Sequence, residues 1–164
     1  MFHIVLVEPE IPQNTGNIAR TCAATGCSLH LVRPLGFEIS DKQLKRAGLD
    51  YWHLVSVQMH DSLEEVLALY PDANAYFFTT KAQKTYADVK YREGDLLVFG
   101  KETRGLPEEL LVARQEGCVR IPMREESRSL NLSNAAAIAV FEALRQNGFQ
   151  GLEGRGQLHR LKWK

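Results

Sequence analysis

The chain predicts an α/β fold: a mostly parallel sheet flanked by helices. Three observations carry this expectation. Short apolar runs alternate with segments of helical spacing along the chain. Several of those helical segments carry a recognisable start or stop, such as Gly26, Pro71 or Pro107. Polar, Gly and Pro residues gather in the segments that follow the strands, where parallel sheets present their ligand sites.

Taken in order, "FHIVLV" (2–7) is a buried-looking strand. "TGNIARTCAATG" (15–26) has helical spacing and stops at Gly26. "SLHLV" (28–32) is a second strand and "SDKQLKRAG" (40–48) a short capped helix. "HLVSV" (53–57) alternates and reads as a strand, and "SLEEVLALY" (62–70) is a helix stopped by Pro71. "AYFFTT" (75–80) and "DLLVFG" (95–100) are strands. "PEELLVARQ" (107–115) is a helix with Pro107 at its first position, and "CVRIP" (118–122) is a strand. From Ala135 the last helix is apolar almost all the way round, which predicts that it is buried. Residues 1–150 are expected to form a single domain and 151–164 a basic tail.

The 164 residues fit one domain, and 45% hydrophobic with 24% charged residues is ordinary globular composition. No run of eighteen apolar residues predicts a membrane span, and the N-terminus reads as a strand rather than a signal peptide. Three cysteines without a CxxC pair (Cys22, Cys27, Cys118) predict reduced cytosolic thiols rather than a disulfide framework or zinc site. The formal net charge is zero, so any attraction to nucleic acid must come from local patches.

Four post-strand segments hold the unusual residues: "EPEIPQNTGNIAR", "KAQKTYAD", "GKETRGLP" and "PMREESRSLNLSN". "GKETRGL" lacks the spacing of a P-loop. It reads either as a plain turn or as a loop that approaches a ligand closely. In the second reading Gly100 and Gly105 stand where a side chain would obstruct, and Glu102 and Arg104 face the site. Arg20, six residues after Asn14, is a lone charge on a helix otherwise rich in small and apolar residues. It is either solvated or has a role. Lys42, Lys45 and Arg46 share one helix face, which is either solvated or contacts RNA phosphates. The tail cations Arg155, Arg160, Lys162 and Lys164 read as a frayed basic end. The sharpest signal is "SRSLNLSN": Ser127, Ser129, Asn131, Ser133 and Asn134 crowd the mouth of an apolar helix. Capping accounts for one or two of them. A ligand held in that mouth would account for the rest.

These segments together resemble the SPOUT class of S-adenosylmethionine-dependent RNA methyltransferases. The closest resemblance is to the small branch that methylates the wobble-position ribose of tRNA. It runs from "IVLVEPEIPQNTGNIARTCAATG" through "GLDYW", "FFTTK" and "LVFGKETRGLP" to "RIPMREESRSLNLSNAAAIAVFEALRQNGF". The resemblance implies a C-terminal deep trefoil knot, otherwise nearly absent from proteins. It implies S-adenosyl-L-methionine held by Phe78, Thr79, Gly100, Ile121, Ser129 and Leu130. It also implies Asn14, Arg20, Glu102 and Asn131 as catalytic and RNA-facing residues. The implied partners are the tRNA anticodon stem-loop and a second copy of the chain, without metal or membrane. Lys101 departs from the pattern where many relatives have Pro, and Phe141 where Tyr is expected. The alternatives are methylation of another RNA position, in tRNA or rRNA, and a non-catalytic RNA-binding domain. A serine hydrolase lacks its GxSxG elbow.

Overall fold

The structure is a computed structural model and describes residues 1–39 and 51–164. Its centre is a six-stranded sheet in the order β3-β2-β1-β5-β4-β6. The strands are β1 (His3–Val7), β2 (Ser28–Val32), β3 (Val57–His60), β4 (Ala75–Phe78), β5 (Leu96–Phe99) and β6 (Cys118–Val119). Every neighbouring pair is parallel. Parallel strands covered on both faces are read as continuous apolar runs, which explains why β2 and β5 are buried at every position.

The period of two within β1 sorts the helices. Ile4 and Leu6 point to one face, where α1 (Pro12–Thr25) and α4 (Leu132–Gln146) bury Ile18, Ala19, Cys22, Ala136, Ala139 and Ala143. Val5 points to the other face, toward α2 (Leu63–Leu69) and α3 (Glu108–Ala113), with Val66, Leu106 and Leu110. α1 begins at Pro12, three residues before the expected start, and Gly26 closes it by donating its N–H to the Cys22 carbonyl at 2.8 Å. Ser62 caps α2 by accepting the Glu65 N–H at 3.2 Å. The three cysteines are buried and unpaired, and burial pushes the Cys22 thiol pKa up.

Three expectations need correction. The strand expected at 53–57 is a 3-10 turn, Trp52–Leu54, followed by β3. Leu54 is 61% exposed, so the alternation was not a buried face. The real strand carries Gln58 and His60, polar residues that disguise it. His60 is accommodated by His30, which also bonds His3, at 3.0 and 3.1 Å. This diagonal of imidazoles crosses β1, β2 and β3, and burial with the neighbouring rings pushes His30 down to about 4. Next, α4 is not buried all round: Ile138 and Phe141 are 37% and 49% exposed. Last, β6 holds two residues rather than the five of 118–122. The helix expected at 40–48 and its cations Lys42, Lys45 and Arg46 lie outside the described residues.

One crossing positions the last third of the chain. Val119 accepts the Thr79 N–H on the β4 side at 3.0 Å. The next residue, Arg120, bonds the opposite side: its N–H to Lys84 and its carbonyl to the Tyr86 N–H, both at 2.9 Å. The 118–120 segment therefore runs between β4 and the chain that leaves β4.

Candidate active site

The carboxyl ends of β1, β4, β5 and β6 open onto a cavity of about 500 Å³. That lies within the range of roughly 300–1,000 Å³ usual for small-molecule sites. Phe78, Thr79, Gly100, Ile121, Ser129 and Leu130 all line it, and Asn14, Glu102 and Asn131 stand at its wall. Arg104 lines it too, as expected from the loop alone.

The three wall residues form one hydrogen-bonded chain. The Glu102 carboxylate accepts the backbone N–H groups of Glu10 (2.8 Å) and Ile11 (3.1 Å) and the Asn14 amide N–H (3.1 Å). Asn14, 5% exposed, accepts in turn from the Asn131 amide at 2.9 Å. Asn131 caps α4, its Oδ1 accepting from Ser133 N (2.9 Å), Ser133 Oγ (2.6 Å) and Asn134 N (3.3 Å). Glu10 returns the contact by accepting the Thr103 N–H and hydroxyl, at 3.1 and 2.8 Å. Loops more than ninety positions apart are thus locked at one point. Both Glu102 oxygens are occupied by N–H donors, so this carboxylate holds the wall.

Gly100 also serves the loop itself. A Cβ there would meet Gly105 C at 2.1 Å and Leu106 N at 2.3 Å, its own chain folding back. Gly105 has φ +69°, the left-handed region, and its N–H donates to the Lys101 carbonyl at 2.8 Å to close the turn. Lys101, which stands where the resemblance expects Pro, is held by the Glu8 carboxylate.

The segment that follows β6 supplies much of the rest of the lining, with Ile121, Met123, Arg128, Ser129 and Leu130. Between Ile121 and Leu130, among the described residues, the backbone–backbone bond is Ser127 N–H to the Arg124 carbonyl at 3.0 Å. The other peptide groups there are open to a ligand. With Phe78, Phe99 and Ile121 as apolar walls, the cavity fits a cofactor with an adenine ring and several polar groups. Lys81 pairs with Glu108 at 2.7 Å and holds its carboxyl below the usual range. Among the described residues, Arg104 and Arg128 at the rim have no carboxylate partner.

Arg20 does not reach this cavity. Six residues along α1 rotate it by about 120° from Asn14 and carry it about 9 Å farther along the axis. Its exposed guanidinium lies 5.1 Å over the Tyr51 ring. The sequence reading missed Glu10, Thr80, Lys81 and Met123. For Glu10 no local pattern points to Thr103, its partner 93 positions away. Among the described residues no three His, Cys, Asp or Glu side chains could hold a metal ion.

The chain is similar along most of its length to known methyltransferases. Chains named tRNA (cytidine(34)-2'-O)-methyltransferase from Methylovorus glucosotrophus and Saccharophagus degradans are 52% and 53% identical to this one. Each alignment covers 92% of this chain and 99% of the relative. A solved structure described as "Structural insights into the 2-OH methylation of C/U34 on tRNA" superposes with TM-score 0.85 at 49% identity. It covers 90% of this chain and 97% of that one. An AdoMet-bound rRNA methyltransferase from Sinorhizobium meliloti superposes with TM-score 0.77 at 26% identity, covering 88% of this chain and 56% of that one. The family described as "SpoU rRNA Methylase family" matches residues 1–141, and to that family this chain belongs.

Proposed function

We propose that this chain transfers a methyl group from S-adenosyl-L-methionine to the ribose 2'-hydroxyl of nucleotide 34, cytidine or uridine, in tRNA. The observation that carries the reading is the locked Glu102–Asn14–Asn131 wall beside a cavity at the carboxyl ends of the strands, in a chain half-identical to enzymes named for this reaction. Phe78, Thr79, Gly100, Ile121, Ser129 and Leu130 would hold the cofactor, which supplies an electrophilic methyl carbon on sulfur. A ribose hydroxyl is a poor nucleophile at neutral pH, so alignment of the two bound reactants must supply much of the acceleration. The wall gives rigidity for that alignment by fixing the α4 start and the loops around it.

Arg20 is the remaining catalytic candidate. A guanidinium offers hydrogen-bond donors and no acceptor, which suits it to holding an anion. It would hold the phosphate beside the target ribose, where the 2'-hydroxyl proton can pass to a phosphate oxygen. Its distance from the cavity of its own chain supports a homodimer in which it serves the other copy's site. The exposed apolar Ile138 and Phe141 on α4 support the same arrangement. The passage of residues 118–120 between β4 and Lys84–Tyr86 supports a C-terminal trefoil knot. We read 1–150 as the catalytic domain and 151–164 as a tail, acting on the anticodon stem-loop in the cytoplasm. Labelled methyl incorporation into bulk tRNA tests the reading. Incorporation into ribosomal RNA alone would favour the rRNA alternative, and cofactor binding without transfer would favour a non-catalytic domain.

A further inference from the structure

Although the chain is neutral overall, its cations are not evenly spread. At the end of the sheet opposite the cavity lies an open groove of about 1140 Å³, whose rim carries Lys84, Lys90, Arg92 and Arg114. The segment bearing Lys90 and Arg92 is stitched to the end of α4. Tyr91 N–H donates to Gln146 Oε1, and Asn147 Nδ2 donates to the Tyr91 carbonyl, both at 3.1 Å. The chain that continues from that helix end is the tail. It holds Arg155, Arg160, Lys162 and Lys164 against the single carboxylate Glu153. Its Leu161 and Trp163 are 76% and 72% exposed. The basic tail therefore departs from the end of the molecule that carries the groove.

Several of the nearby carboxylates are engaged elsewhere, whereas Asp72, between the groove residues Pro71 and Ala73, makes no ion pair among the described residues. Glu93 pairs with the N-terminal ammonium, and Glu142 with Arg145 at 2.8 Å. Asp95 is buried and accepts the Asn74 and Arg92 backbone N–H groups. Glu116 faces only Lys84, at 3.9 Å. Among the described residues, Lys90, Arg92, Arg114 and the tail cations have no carboxylate partner. A cluster of unneutralised cations beside a concave surface suits a polyanion with closely spaced charges. An exposed tryptophan among them suits an unstacked base.

We infer that the groove rim and the C-terminal tail form a second RNA-contacting surface, which grips the phosphate backbone of the substrate away from the methylated nucleotide. The inference rests on the tRNA reading above. α4 separates the two surfaces: its first turn is at the cavity and its last at the groove, about 22 Å apart at 1.5 Å per residue. An RNA engaged at both would be held by a nucleotide in the cavity and by backbone phosphates roughly two helical nanometres away. The distal contacts would set affinity, and the cavity would set the chemistry.

The test uses the full chain with the triple substitution Lys90→Glu, Arg92→Glu and Arg114→Glu, and separately Arg160→Gln, Lys162→Gln and Trp163→Ala. A neutral Lys90→Gln, Arg92→Gln, Arg114→Gln version guards against misfolding by charge reversal. Binding of unmodified tRNA transcript is measured between about 50 and 200 mM salt, the range over which phosphate contacts dominate the change. Each variant is expected to bind at least tenfold more weakly at the low-salt end. The groove variants should lower the slope of log affinity against log salt by about 2 to 3, as for three lost phosphate contacts. Transfer at saturating tRNA should stay near wild type while KM rises. Unchanged slope and KM in folded variants would overturn the inference. So would wild-type binding to phosphatidylserine vesicles that the substitutions abolish while tRNA binding persists. If instead wild type binds tRNA through these residues but transfers no methyl, the surface stands and the enzymatic reading falls.

Discussion

Removing the Asn131 side chain should break the wall at its middle. Asn131→Ala deletes the α4 cap, which accepts from Ser133 N and Asn134 N, and the bond to Asn14 Oδ1. Loss of an N-cap side chain costs about 1 kcal/mol. Leaving a buried acceptor such as Asn14 Oδ1 unpaired costs a further 1–3 kcal/mol, roughly. A combined loss of about 2–4 kcal/mol corresponds to a fall in Tm of roughly 5–15 °C for a chain of this size. Asn131→Asp separates the two parts. Its carboxylate keeps the cap and gains from the helix dipole, by about 0.3–1 kcal/mol, but it cannot donate to Asn14. Asp should therefore be less destabilised than Ala. Both should bind S-adenosylmethionine more weakly, because Ser129 and Leu130 are anchored by this residue. Thermal unfolding with cofactor calorimetry on the same samples decides. An Asn131→Ala Tm within about 2 °C of wild type, or Asp falling below Ala, would refute the reasoning.

Gly100→Ala should lower stability and cofactor affinity together, because the new Cβ meets backbone at 2.1 Å rather than the cofactor alone. Affinity lost at unchanged Tm would restore the ligand-based reason for that glycine. Acid should destabilise the fold through His30, whose pKa drops from 6.5 unfolded to about 4 folded. The unfolded chain then binds the extra proton, so stability is full above about 6.5 and is lost as pH falls toward about 4, on the order of 3 kcal/mol. Urea midpoints of His30→Gln should be flatter across that window than those of wild type, and equal slopes would remove the histidine diagonal from the explanation. Arg20→Ala should keep cofactor affinity near wild type and lower single-turnover transfer at least roughly 100-fold. Arg20→Lys should rescue little, since an ammonium lacks the planar fork. Wild-type transfer by Arg20→Ala would end its catalytic role.

Local pattern made most of the fold legible. Apolar runs marked five of the six strands, and Gly26 and Ser62 marked helix ends where they stand. Strand β3 escaped because it carries the exposed Gln58 and the buried His60, and His60 is satisfied by His30 in another strand, which no window of sequence contains. The polar candidates, such as Asn14, Glu102, Ser129 and Asn131, were visible as crowding after strands, while Phe78, Thr79 and Ile121 rested on the resemblance alone. Their roles were less visible. Gly100, expected to leave room for a ligand, also leaves room for Gly105. Glu102, expected to face the site, has its carboxylate filled by Glu10, Ile11 and Asn14. These contacts span about ninety residues, and only the closed sheet brings them together. Arg20 shows the converse: the resemblance groups it with Asn14, and the rotation of α1 between them turns it away from the cavity of its own chain.

The most direct test of the central claim is the position of the transferred methyl group. Purified chain, S-adenosylmethionine with a labelled methyl and unmodified tRNA are incubated, and the product is digested by nuclease and analysed by mass spectrometry. The account predicts one 2'-O-methylated nucleotide, at position 34, as cytidine or uridine. A label at any other nucleotide, or on a base rather than a ribose, would contradict it.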